Sequence, residues 1–139
     1  MIMNRPDRLE KLSEALRELC DKRSLPFRDM LPNELPERPG VYLITKVEDE
    51  FEIPYWIGRA DNIKRRVFTG LLMGGYANLS FKKQLEEKEI CADIEEAKKF
   101  IRKNCALRWL RIQDARFRDI MACFASAVLN PKLGMPKEP

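Results

Sequence analysis

The chain has 139 residues, 45% of them hydrophobic and 35% charged, with a net charge of +4, a size and balance that suit one compact domain plus a short extension. It contains no histidine, which excludes His-dependent nucleases, Ser-His-Asp hydrolysis and zinc sites of the HExxH kind; acid-base chemistry falls to Tyr, Lys and carboxylates. No stretch approaches the roughly 20 apolar residues of a membrane span and no leader pattern opens the chain, so a soluble cytoplasmic protein is expected.

From Pro6 to about Arg23, Leu9, Leu12, Leu16 and Leu19 recur at helical spacing, predicting an amphipathic helix that needs a partner surface. Ser24 to Pro39 carries Pro26, Pro32, Pro36 and Pro39 and reads as a connector. Gly40 to Val47 and Ile53 to Gly58 predict two strands of a hairpin. Asp61 offers the N-cap of a helix carrying Ile63, Lys64, Arg65, Arg66 and Val67. Gly70, Gly74 and Gly75 mark a loop. Leu79 to Lys88 and Asp93 to Lys103 look helical, the second opening with Asp93 and Glu96 at capping-box spacing. Ala106 to Ile112 is a third strand. From Asp114 to Leu129, Phe117, Ile120, Met121, Phe124 and Val128 define one face of a last helix that stops before Pro131.

The expected fold is therefore α/β (α+β): a small, mainly antiparallel three-stranded sheet flanked by helices, with an extra N-terminal amphipathic helix. Residues 1–34 form the helix and Pro-rich connector, and 35–139 the main domain. Cys20, Cys91, Cys105 and Cys123 form no CxxC pair and read as reduced, mostly buried thiols. Arg59, Lys64, Arg65 and Arg66 lie within eight residues, and Arg108, Arg111, Arg116 and Arg118 follow later. Such clusters suit phosphate contacts, although acidic runs such as Glu48 to Glu52 and Glu86 to Glu89 offer balancing charge.

Two segments are distinctive: Pro39-Gly40-Val41-Tyr42, and the run from Trp56-Ile57-Gly58-Arg59 through Asp61-Asn62-Ile63-Lys64-Arg65-Arg66-Val67. Together they resemble the GIY-YIG nuclease superfamily, Gly-Val-Tyr standing for the first triplet and Trp-Ile-Gly for the second. The second run is similar to that in the incision module of the bacterial excision-repair nuclease. The resemblance covers residues 35–134 and implies a DNA endonuclease that uses one divalent metal, Mg2+ or Mn2+, in repair or restriction.

Hydrolysis of a phosphodiester needs an activated water, charge compensation in the transition state and a stabilised leaving oxygen. The resemblance implies Tyr42 as water activator, a role that needs a cation such as Arg59 or Lys64 beside it, and places Arg59 and Arg66 on the phosphate. Lys64, Arg65, Trp56 and Asn62 are the implied nucleic-acid contacts. Trp56 departs from the second triplet's tyrosine and cannot exchange a proton near neutral pH. Tyr55 beside it is expected on the opposite strand face.

The larger departure is at the metal. The family's glutamate, about nine residues before the proline ending the last helix, falls on Ala122, which has no ligating group. By helical rotation Ala122 points about 140° from the predicted core face, so it is expected on a site face. Asp119, one turn earlier, is a weak surrogate. Three explanations stand: an inactivating substitution, a naturally disabled DNA-binding relative, or a carboxylate from elsewhere. Gly134 also departs, since many members carry asparagine there; Asn130 is either its partial replacement or a helix C-cap. The expected function is an endonuclease domain impaired as written. The alternative is a non-catalytic DNA-binding or protein-interaction module on the same fold, its N-terminal helix serving a homodimer or a partner protein.

Overall fold

Alternation along the central strand sets the architecture. In the computed structural model, which describes residues 5–73 and 80–134, β2 (Gly40–Glu48) lies between β3 (Phe51–Ala60) and β4 (Cys105–Arg111), antiparallel to both. Tyr42 and Ile44 point to one face and Val41 and Leu43 to the other, as a period of two requires. Each pair joins its own buried cluster. Residues 40–45 are buried without interruption, the pattern of a strand covered on both sides.

The Tyr42 face is covered by Phe27, Met30 and Leu35 of the connector and by Ile63, Val67 and Leu72 in and before a π-helical segment, Arg65–Met73. Phe81 and Leu85 of α2 (Ser80–Glu87) and Ala97 and Ile101 of α3 (Ile94–Asn104) complete that layer. The Val41 face is covered by Leu12 and Leu19 of α1 (Arg5–Asp21) and by Met121, Ala122 and Ala125 of α4 (Ala115–Leu129). The stripe of α1 thus finds a partner surface within the chain, with Leu9 left 54% exposed. No described helix is long and apolar enough to cross a membrane.

The sheet has four strands rather than the three expected, in the order β1-β4-β2-β3. The addition is β1, Leu25–Pro26, paired with Leu107 and Ala106 of β4. Proline is tolerated because this strand lies at the sheet edge.

Local signals explain most helix ends. The Asp93 carboxylate accepts from the Glu96 backbone N–H at 2.9 Å, and that of Asp114 from the Arg116 N–H at 3.0 Å. Asn130 takes the left-handed conformation, φ 48°, as the C-cap of α4, the second of its two expected roles. Elsewhere the expectation needs correction. Asn62, not Asp61, caps the helix that follows, its Oδ1 accepting from the Arg65 N–H at 2.9 Å. Gly70 lies inside the helical segment, which runs on to Met73; Gly74, Gly75 and Leu79 fall outside the described residues.

Two corrections bear on the site. In α4, Met121 is fully buried but Val128 is 56% exposed, and Ala122 and Ala125 face the core at 7% and 0% exposure. Alanines let the helix lie close against the sheet, so the seam follows the small side chains and rotates away from the largest apolar ones. In β3, the register slips between Ile44 and Thr45: Ile44 pairs with Trp56 and Thr45 with Pro54. Tyr55 is the extra residue of this β-bulge. It therefore packs in the same cluster as Tyr42 and next to Trp56, instead of on the opposite face.

Candidate nucleic-acid site

Cross-strand pairing assembles the first group of motif residues. Tyr42 lies opposite Gly58, and Ile44 opposite Trp56. The Tyr42 ring crosses Gly58 so closely that a Cβ on that residue would sit 2.3 Å from Cζ and 2.4 Å from the hydroxyl oxygen. The second triplet needs its glycine for this approach. The Trp56 indole lies beside the Tyr42 hydroxyl, where it favours the ionised form of that oxygen. Its ring packs on Phe81, centroids 5.6 Å apart, and against Gly134, where a Cβ would come within 3.0 Å of Cε3. Gly134 adopts φ +88° and donates its N–H to the Gln84 side-chain oxygen at 2.8 Å.

Arg66 arrives from the helix capped by Asn62 and is the cation whose charge acts on Tyr42. Arg59 and Lys64, the expected suppliers, are not among the groups that act on it. Tyr42 is only 4% exposed. Burial pushes its hydroxyl above the ordinary value of 10, and Arg66 and the Trp56 indole offset only part of that rise. A buried tyrosine that keeps its proton is suited to donate a hydrogen bond, for instance to an anion held by Arg66, and poorly suited to deprotonate water.

The second group lies across the sheet. Arg59 pairs with Val41 in the ladder and so belongs to the face covered by α4. Its Nε sits 2.7 Å from the Asp119 carboxylate, with both side chains more than half exposed. Arg118 donates to the Ile112 carbonyl at 3.2 Å and lies 3.6 Å from Asp61. Ala122 clusters with Val41, Leu43 and Met121, and its carbonyl accepts from the Ser126 hydroxyl at 2.8 Å.

The structure therefore brings together Tyr42, Trp56 and Arg66, and separately Arg59, Asp119 and the Ala122 position, with the sheet between the two groups. Arg65 is exposed, Lys64 is half-buried, and Asn62 spends its side-chain oxygen on the helix cap. Sequence reasoning missed Gln84 and the Arg118–Asp61 pair. Nothing in the local pattern marks Gln84, because its partner is a backbone N–H fifty positions away.

A divalent cation does not fit the expected position. Alanine offers no donor, the nearest carboxylate, Asp119, is engaged by a guanidinium, and no cluster of three or more acidic, cysteine or histidine side chains suited to a metal occurs among the described residues.

No family model matches the chain, and no curated protein matches it in sequence. Among solved structures it is similar to the GIY-YIG N-terminal endonuclease domain of UvrC from Thermotoga maritima, in tyrosine-to-phenylalanine point mutants bound to a catalytic divalent cation. Two of these align over 73% of this chain and 88% of theirs, at 17% and 16% identity with TM-scores of 0.46 and 0.47. A third aligns over 91% of this chain and 98% of its own, at 15% identity and a TM-score of 0.42.

Proposed function

We propose that this chain is a DNA-binding domain of GIY-YIG type that does not cut as it stands. The observation that carries the reading is the division of the motif across the sheet. Tyr42, Trp56 and Arg66 stand on one face, where a guanidinium and a hydroxyl could hold a phosphate, whereas the position of the acidic ligand is a buried alanine in the opposite cluster. Of the two expected readings, this arrangement favours the non-catalytic module over a nuclease that lacks only one side chain. A glutamate at 122 would start from a helix-sheet seam built for alanine. Magnesium or manganese has no place in the proposed binding step, which relies on guanidinium and hydroxyl donors.

The test is binding and cleavage of plasmid and branched DNA, with magnesium or manganese, by this chain, Ala122→Glu and Ala122→Gln at matched protein and salt. Salt-dependent binding without cleavage by any of the three is the expected result. Cleavage by Ala122→Glu alone would instead assign a nuclease whose metal ligand is missing, and absence of binding even at low salt would remove the nucleic-acid reading.

A further inference from the structure

Two ion pairs tie the end of β3 and the turn after it to the first turns of α4: Arg59 to Asp119 at 2.7 Å, and Asp61 to Arg118 at 3.6 Å. Arg111 and Arg116, close by in sequence at the end of β4 and the start of α4, are exposed. The Arg59–Asp119 pair is a poor candidate for a stability element, since its side chains are 57% and 59% exposed and solvent-screened pairs contribute little to folding. It does have a consequence for ligands. A carboxylate 2.7 Å from Nε puts its negative charge where a phosphate would otherwise approach the guanidinium.

We propose that Asp119 is an internal competitor for phosphate: its carboxylate holds Arg59 against α4 in the free protein and gives way when a phosphate of bound DNA reaches the guanidinium. The idea rests on the DNA-binding reading above and deepens it, because it makes Asp119 a residue that sets affinity. In these terms Arg59 is a conditional contact. It is silent toward weakly held anions and available to a polyanion that brings several phosphates at once. Arg118 is fixed differently: it donates to the Ile112 carbonyl and its side chain is only 12% exposed, so it remains a structural anchor when Arg59 is released.

The experiment is a salt titration of labelled duplex binding to the unaltered chain, Asp119→Asn, Arg59→Gln and the double variant. Asparagine keeps the shape at an exposed site, so folding is preserved, and circular dichroism checks that. Asp119→Asn is expected to bind about 3–10-fold tighter at low salt with a similar log-log salt slope, because the bound state makes the same phosphate contacts in both proteins. The gain should vanish in the double variant. Asp119→Asn binding no tighter than the unaltered chain overturns the proposal, and so does a gain that survives Arg59→Gln, because it would report net charge alone. If the unaltered chain fails to bind duplex and Arg66→Gln changes nothing, the wider reading has failed. Heparin elution then still decides the masking: Asp119→Asn eluting at unchanged salt overturns it, and later elution dependent on Arg59 supports it.

Discussion

The ring of Tyr42 lies across the backbone of Gly58, with no room for a methyl group between them. Gly58→Ala must displace the ring or bend β3, and is expected to lower stability by about 1–3 kcal/mol, as overpacking does. Tyr42→Phe keeps the ring and loses only the hydroxyl, at a cost of about 1 kcal/mol. Urea denaturation of the two variants checks the order; Tyr42→Phe proving the more damaging would mean that the hydroxyl, not the ring, organises the site.

Arg66 is the cation beside Tyr42, on the same side of the sheet as Trp56. Arg66→Gln is expected to weaken DNA binding across sequences alike and to reduce the salt slope by about 0.9, the signature of one lost phosphate contact. Fluorescence anisotropy over a salt series measures both. An unchanged slope would place Arg66 outside the interface.

On the other face, Arg108 donates to the Glu52 carboxylate and to the Cys20 carbonyl at the C-terminal end of α1. Glu52 also accepts from the Thr45 hydroxyl at 2.7 Å. One guanidinium thereby joins the hairpin to the end of a helix whose last carbonyls favour positive charge. Removing one partner leaves the other charge poorly solvated, so Arg108→Met is expected to cost about 2–4 kcal/mol. Amide exchange should show α1 losing protection before the hairpin does; uniform loss would argue against this docking role.

Alkaline stability has two opposing contributions. Lys82 is fully buried and its amine is lowered from 10.5 to about 8, first by burial and then by Lys98. Between about pH 8 and 10.5 the unfolded chain holds the extra proton, so this group makes stability rise with pH. Cys105 acts in the other sense: burial pushes its thiol from 9.0 up to about 12, so above pH 9 the folded chain holds the extra proton and stability falls. Tyr42, raised above 10 by burial, adds to the fall at still higher pH. Denaturant midpoints from pH 7 to 11 should therefore lose their rising limb in Lys82→Met and fall less steeply in Cys105→Ala. A Lys82→Met profile identical in shape to the parent would dismiss the first assignment.

Much of this was legible in the sequence, because the signals were local. Alternating β-formers gave the hairpin and third long strand, and Asp93, Asp114 and Asn130 mark helix ends by chemistry that needs no tertiary context. The site was less legible because its partition depends on geometry between elements. The bulge at Tyr55 leaves no mark in composition, yet it brings Tyr55 to the side of Trp56. The face of α4 was misread because the largest apolar residues suggested the core, whereas close packing on the sheet selected alanines. The two-residue β1 lies below any periodic signal, and its proline argued against a strand.

After α4 the backbone turns along the outer side of β3, where the Lys132 N–H donates to the Pro54 carbonyl at 3.1 Å and the Leu133 N–H to the Tyr55 carbonyl at 2.9 Å. β3 is an outermost strand, and Phe51 and Ile53 stand beside this stretch at 75% and 37% exposure. Bare carbonyls next to exposed apolar side chains are a template for pairing with another chain. Lys132 and Leu133 occupy that template with backbone from the same molecule, and the lysine places a charge over it, so this short segment guards the domain against edge-to-edge aggregation.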